Sequence, residues 1–245
     1  MKTRLLILFT FLLFVQVQAS LDDVESIVDK ARSYLGEESK LKAVHAIRFH
    51  GKVKLYQEEG TAKEGEVILT FQKPYSQKIE FIFPDQNMVT GFNGYEGYEY
   101  IEGKSEEGPP ARNIHSIGLD DARRNKASAL ENLSFFRPFP LTSDNVKDYG
   151  TVEMEDGISA HRVDFTHNGI YVFSRFFDLD TGNLLQSQLN TGITTIETGE
   201  LVADGIRFSK IITGHIEGKV IYEMVFDEVA VNPDVDSSFF DYPDQ

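Results

Sequence analysis

Between Ile47 and Ile101 the chain alternates apolar and polar residues through successive short runs: IRFHGKVKLY, GEVILTFQK, QKIEFIF, NMVTGF and EGYEYI. A strand points successive side chains to opposite faces, so Ile47, Phe49, Val53 and Leu55 share one face. Val67, Leu69 and Phe71 extend that face, followed by Ile79, Phe81 and Phe83. Arg48, His50, Lys52, Lys54, Lys78 and Glu80 fall on the other. This pattern predicts an antiparallel meander with one apolar face. Protein or an apolar ligand must cover it, because exposed apolar surface of that extent is unfavourable in water.

Turn residues punctuate the runs: Glu59-Gly60, Lys73-Pro74, Pro84-Asp85 and Asn93-Gly94. Asn-Gly is a strong signal for a tight hairpin. A second strand series is expected near 150–154, 159–166, 169–178, 183–190, 193–201, 206–213 and 219–229, again with glycine-bearing turns between. Ile170–Phe177 and Val220–Phe226 are apolar on both sides, as in strands covered on both faces or bordering a cavity.

Two helices interrupt this pattern. Val24, Ile27, Val28, Ala31, Tyr34 and Leu35 recur at helical spacing within Asp22–Leu35. The acidic Asp22, Asp23 and Glu25 suit its N-terminal end, and Gly36 is a natural stop. A short helical turn is expected within Ser39–Ala46, and a helix over Leu119–Leu133. SFFRPFP, after that helix, is an apolar loop, because Pro138 and Pro140 break a helix. GKSEEGPPARN reads as an exposed loop. In the tail, Phe239 and Phe240 are positioned to pin the chain to the sheet.

The fold class is therefore α+β and mainly β: a strongly curved antiparallel sheet, an unclosed barrel or half-barrel, with helices packed in its concave side. Residues 20–245 are expected to form one domain. Residues 1–19 read as a signal peptide, with basic Lys2 and Arg4, an apolar run of about eleven residues, and cleavage after Ala19. That run is too short for the roughly 20 residues of a spanning helix. The chain has no cysteine, hence no disulfide and no thiolate site, and an exported domain without disulfides fits a bacterial periplasm. A net charge of −15 repels nucleic acid and serves solubility or a basic protein partner.

No reaction chemistry stands out. None of the six histidines falls in a zinc-binding or catalytic motif, and each reads as a surface or hydrogen-bonded side chain. There is no G-x-S-x-G elbow, phosphate loop or dinucleotide fingerprint. Asp178-Leu179-Asp180-Thr181-Gly182-Asn183 reads as a hairpin turn, since it lacks the closing glutamate of a calcium loop. No catalytic residue, metal or cofactor is implied.

The exported helix DDVESIVDKARSYLG, the strand IRFHGKV, the strand end FQKP, the hairpin FNGYEGYEYI, the turn DLDTGNL and the ending VAVNPDVDSSFF together resemble the periplasmic lipoprotein-carrier (Lol-type) superfamily. The resemblance implies a non-enzymatic protein that binds a lipid or an acylated protein, holding the acyl chain between the curved sheet and a helical lid. The expected wall of that cavity is Phe49, Val53, Leu69, Phe71, Ile79, Phe81, Phe83, Tyr171, Phe173, Tyr222 and Phe226. The helices Asp22–Leu35 and Leu119–Leu133 are the expected lid, with Val24, Ile27, Val28 and Ala31 on the first, and an acyl chain would displace them and take their place against Phe71, Phe81 and Phe83. Carriers of this kind hold the closed state with an arginine near the plug, and Arg48, Arg162 and Arg175 are the candidates here. The alternative on the same fold is an interaction or sensor module whose cavity is filled by its own side chains.

Overall fold

The computed structural model describes residues 21–57, 60–94, 96–104, 112–154 and 157–243. The expected signal peptide and most of the GKSEEGPPARN loop lie outside the described residues. Two helices, α1 (Leu21–Leu35) and α2 (Glu38–Ala43), precede six strands: β1 (Ala46–Tyr56), β2 (Ala62–Gln72), β3 (Ser76–Ile82), β4 (Gln86–Phe92), β5 (Gly97–Gly103) and β6 (Arg112–Ser116). Helix α3 (Leu119–Ser134) follows. The second series is β7 (Val146–Glu153), β8 (Ser159–His167), β9 (Tyr171–Asp178), β10 (Leu184–Leu189), β11 (Ile193–Thr198), β12 (Leu201–Ala203), β13 (Ile206–Phe208), β14 (Ile211–Ile216) and β15 (Lys219–Val231). A 3-10 turn, Ser237–Phe240, closes the described chain.

Thirteen strands form one antiparallel sheet, in the order β6-β5-β4-β3-β2-β1-β15-β14-β11-β10-β9-β8-β7. The first strand therefore pairs with the last, and the two strand series meet at the β1–β15 seam. Strands β6 and β7 form the edges and do not pair with each other, so the sheet curves without closing. The register puts the apolar residues of β1 to β3 in rows: Ile47 opposite Phe71, Phe49 opposite Leu69, and Leu69 opposite Ile79. At the seam the register slips between His50 and Gly51. A Cβ at Gly51 would lie 2.2 Å from the Val225 carbonyl oxygen, so the two backbones can approach this closely only at a glycine.

The strand reading of 193–201 and 206–213 needs correction. Only β11 and β14 belong to the sheet there. Between them, β12 and β13 fold off as a separate two-stranded hairpin. Gly199, at φ 68°, begins the departure. The segment Arg112–Ser116, whose first residues fell in the expected loop, is the edge strand β6 and pairs with β5. Strand β9 is buried on both faces, as its sequence required. The tail lies on the polar face of the sheet, where Lys78 sits 4.2 Å from the centre of the Phe239 ring and Phe240 is fully buried.

Candidate functional site

Two hydrophobic clusters fill the helix-covered side. In the first, Ile47, Val53, Val67, Leu69, Phe71, Phe83, Met224 and Phe226 are buried from the sheet. Phe49 is central to it, with ring centroids 6.4 Å from Phe71, 5.6 Å from Phe208 and 5.0 Å from Phe226. Ile79, Phe81 and Tyr222 pack at its partly buried margin. In the second cluster, Val24, Val28 and Ala31 of α1 pack with Phe165, Tyr171, Phe173, Phe177 and Leu184, and Ile27 lies at the margin. The structure thus sorts the expected wall residues into two chambers. Tyr171 and Phe173 belong to one, and the remaining nine belong to the other.

This sorting divides the expected lid between the two clusters. The apolar face of α1 covers Tyr171, Phe173 and Phe177, not Phe71, Phe81 and Phe83. The first chamber is covered instead by Leu41 of α2 and Val44, by Leu133 and Phe135 at the end of α3, and by Ile206 and Phe208 of the β12–β13 hairpin. The hairpin is tied to α1. Arg207 donates to the Tyr34 carbonyl, and Gly36 forms a backbone bridge with Ile206. On the second chamber, the turn after β9 closes on α1. Asp178 Oδ1 accepts from the Thr181 backbone and hydroxyl at 2.7 Å each. Gly182, at φ 78°, brings the turn so near α1 that a Cβ would lie 3.0 Å from the Ala31 nitrogen.

Helix α3 ends as a wedge between the chambers. Phe135 and Phe136 have φ of 47° and 68°, left-handed backbone that bulky side chains rarely adopt. The reversal sends Phe135 into the first cluster and Phe136 into the second, where its ring lies 5.0 Å from Phe177. A strained, non-helical hinge of this kind persists only when its surroundings hold it.

Two polar clasps hold it. Arg32 of α1 is 5 % exposed. It donates to the Ser134 and Phe135 carbonyls at 2.9 and 2.6 Å, and through Nε and Nη2 to the Glu38 carboxylate at 2.8 and 3.0 Å. One guanidinium therefore joins α1, α2 and the hinge of α3. Of the three candidate arginines, Arg175 bonds to a covering helix, and Arg32 is not among the candidates. Arg48 donates to Thr70 and lies over Phe239, on the face away from the helices. Arg162 pairs with Asp164. Arg175 belongs to the second clasp, where Glu131 of α3 accepts from Arg175 at 3.0 Å and lies 2.6 Å from His167 Nε2. All three side chains are buried, and the His167 ring packs between Phe139 and Phe173. Arg32 did leave a sequence signal. It lies four residues after Val28, a lone cation within the apolar stripe of α1.

The hydrogen bonds from Arg32, with help from Lys42 and against partial burial, hold the Glu38 carboxyl below its ordinary pKa of 4.5. A depressed carboxylate contributes stability above its unfolded pKa and loses it as pH falls through the folded value. The first clasp is thus at full strength above about pH 4.5 and weakens below it. Hydrogen exchange of α1 and α2 across that range should accelerate as pH falls, beyond the intrinsic pH effect. Glu38→Gln should flatten the acid step; the same step in both proteins would detach Glu38 from it.

Two clefts open along α3. One, of about 400 Å³, is lined by Arg32, Glu38, Leu41, Lys42, Lys73, Pro74, Tyr75, Leu130, Leu133, Ser134, Arg137 and Pro138. The other, of about 420 Å³, includes Tyr75, Lys126, Leu130, Phe139 and His167. Neither contains an expected wall residue, although Leu41 and Leu133 belong to both the first cleft and the first chamber. Among the described residues, no group of three or more His, Asp or Glu could hold a metal ion, and no helix is long and apolar enough to cross a membrane. Within the second cleft, the His167 ring is already engaged through Nε2 by the Glu131 carboxylate.

No protein-family model and no curated protein matches the chain. Among solved structures, a DUF1329 family protein from Desulfovibrio piger is similar at 9% identity with a TM-score of 0.57, covering 89% of this chain and 97% of that one. A LolA superfamily protein from Nitrosomonas europaea is similar at 9% identity with a TM-score of 0.53, over the same shares of the two chains. At this identity the likeness is one of fold, and the chain has the Lol-like fold: a curved, unclosed antiparallel sheet with helices in its concave side.

Proposed function

We propose that this is an exported, periplasmic protein, cleaved after Ala19, that binds a lipid or the acyl chain of a lipoprotein without catalysing a reaction. One observation carries the reading. The aromatic face of β1 to β3 is covered by a plug that shares no sheet pairing with it, and the end of α3 in that plug is held by the Arg32 clasp. Release of the Arg32 clasp would let Leu133 and Phe135 withdraw. An acyl chain would then take their place against Phe49, Phe71, Phe81 and Phe226. Each methylene buried there contributes about 0.8 kcal/mol, so a long chain offsets the loss of the plug contacts.

The two clusters are filled by the protein's own side chains. That filling favours, as the second reading, an interaction module with a self-filled interior. Native mass spectrometry of the full chain purified from cells, with titration of a fluorescent fatty acid, separates the two. Carriage predicts a co-purified lipid or saturable uptake. Absence of both removes it in favour of the second reading.

A further inference from the structure

The cleft between α2, the β2–β3 turn and the end of α3 is basic, although the whole chain carries a net charge of −15. Arg32, Lys42, Lys73 and Arg137 line it, against Glu38 as the lining carboxylate. Three of these cations have carboxylate partners: Arg32 and Lys42 share Glu38, and Arg137 pairs with Asp29 at 2.6 Å. Lys73 pairs with no carboxylate among the described residues. It is exposed along much of its length, yet burial at the cleft wall and the nearby Arg32 charge hold its pKa below the ordinary 10.5. An unpaired cation held beside another is relieved when an anion arrives.

The apolar walls give the anion a direction. Leu41 and Leu133 line the cleft and also cover the first chamber, so a ligand seated at Lys73 lies next to the parts of the plug that must move. Glu38 is the group that an incoming anion would displace from Arg32.

We propose that this cleft binds phosphate, with Lys73 as its primary contact and Lys42 and Arg32 completing the site as Glu38 gives way. The proposal rests on the carrier reading for its lipid source, a phosphorylated head group whose chain enters past Leu133. Free phosphate is the other source of the same chemistry.

Isothermal titration of the full chain with three probes tests it: lysophosphatidic acid below its micelle concentration, a monoacylglycerol of the same chain length, and inorganic phosphate. The lysophosphatidic acid should bind about tenfold more tightly than the monoacylglycerol, the gain expected of one charge-assisted hydrogen bond. Lys73→Gln should abolish that difference and leave monoacylglycerol affinity unchanged. Equal affinity for the two lipids, unaltered by Lys73→Gln and with no phosphate binding, overturns the site and leaves the carrier reading standing. Lys73-dependent binding of inorganic phosphate with no binding of either lipid supports the site and overturns the carrier reading. Binding of none of the three overturns both.

Discussion

Replacing Glu131 with alanine is expected to lower the free energy of unfolding by about 3–5 kcal/mol, the usual penalty for leaving a buried charge without its partner. Glu131 is the carboxylate paired with the buried Arg175 guanidinium. The Arg175 Nε already lacks a partner, and its remaining side-chain bond is to the Ser187 hydroxyl. The same deletion strips His167 of its hydrogen bond. Because Glu131 sits on α3 and its partners on β8 and β9, the loss falls on the contact that seats the helix over the second chamber. Urea unfolding followed by far-ultraviolet circular dichroism reads it as a fall in midpoint at unchanged slope. The double variant Glu131→Leu, Arg175→Met should recover most of the loss. An apolar pair of similar size avoids the desolvation of both charges, and only the His167 ring and the Ser187 hydroxyl lose a partner. A loss under about 1 kcal/mol for Glu131→Ala would mean that water reaches Arg175 and that the clasp does not hold the helix.

The sheet was legible because its signal has period two and recurs. Ile47, Phe49, Leu69, Phe71 and Ile79 fall in facing rows, and turn residues mark the reversals. The helices were legible from their stripes. What alternation does not encode is which cover lies over which half. Leu201, Ala203, Ile206 and Phe208 alternate as a sheet strand does, so a plugging hairpin and two sheet strands share one local pattern. Only the pairing of β11 directly with β14 excludes it from the sheet. The clasps were hidden for another reason. Glu131 looks like an ordinary surface residue of ALENL, because burial of a helix side depends on what packs over it. The carbonyls that accept from Arg32 lie 102 and 103 residues away. The cation in the stripe of α1 was readable in the sequence, but its partners were not.

Arg32→Leu should loosen the plug and tighten lipid binding at once. The substitution keeps the apolar stem that packs in the stripe and removes every hydrogen bond to the hinge. The Ser134 and Phe135 carbonyls lose their charged donor, and the left-handed turn loses one of its two clasps. At about 1.5–3 kcal/mol for hydrogen bonds to a charged group, the closed form should be weakened by about 2–3 kcal/mol. Glu38 is partly exposed and finds water, so it adds little. If the open form binds lipid, its larger population raises apparent affinity for a fluorescent fatty acid by tenfold or more. Hydrogen exchange should quicken at the ends of α1 and α3 and not along β8 and β9, which separates a released plug from general unfolding. Arg32→Lys should fall between, since an ammonium keeps the charge but cannot fork across two carbonyls and a carboxylate. Arg137→Ala, which breaks a more exposed pair with Asp29, should leave affinity and exchange at the hinge close to those of the parent. Faster exchange at the hinge with unchanged affinity would confine Arg32 to stability and leave the chamber without a ligand.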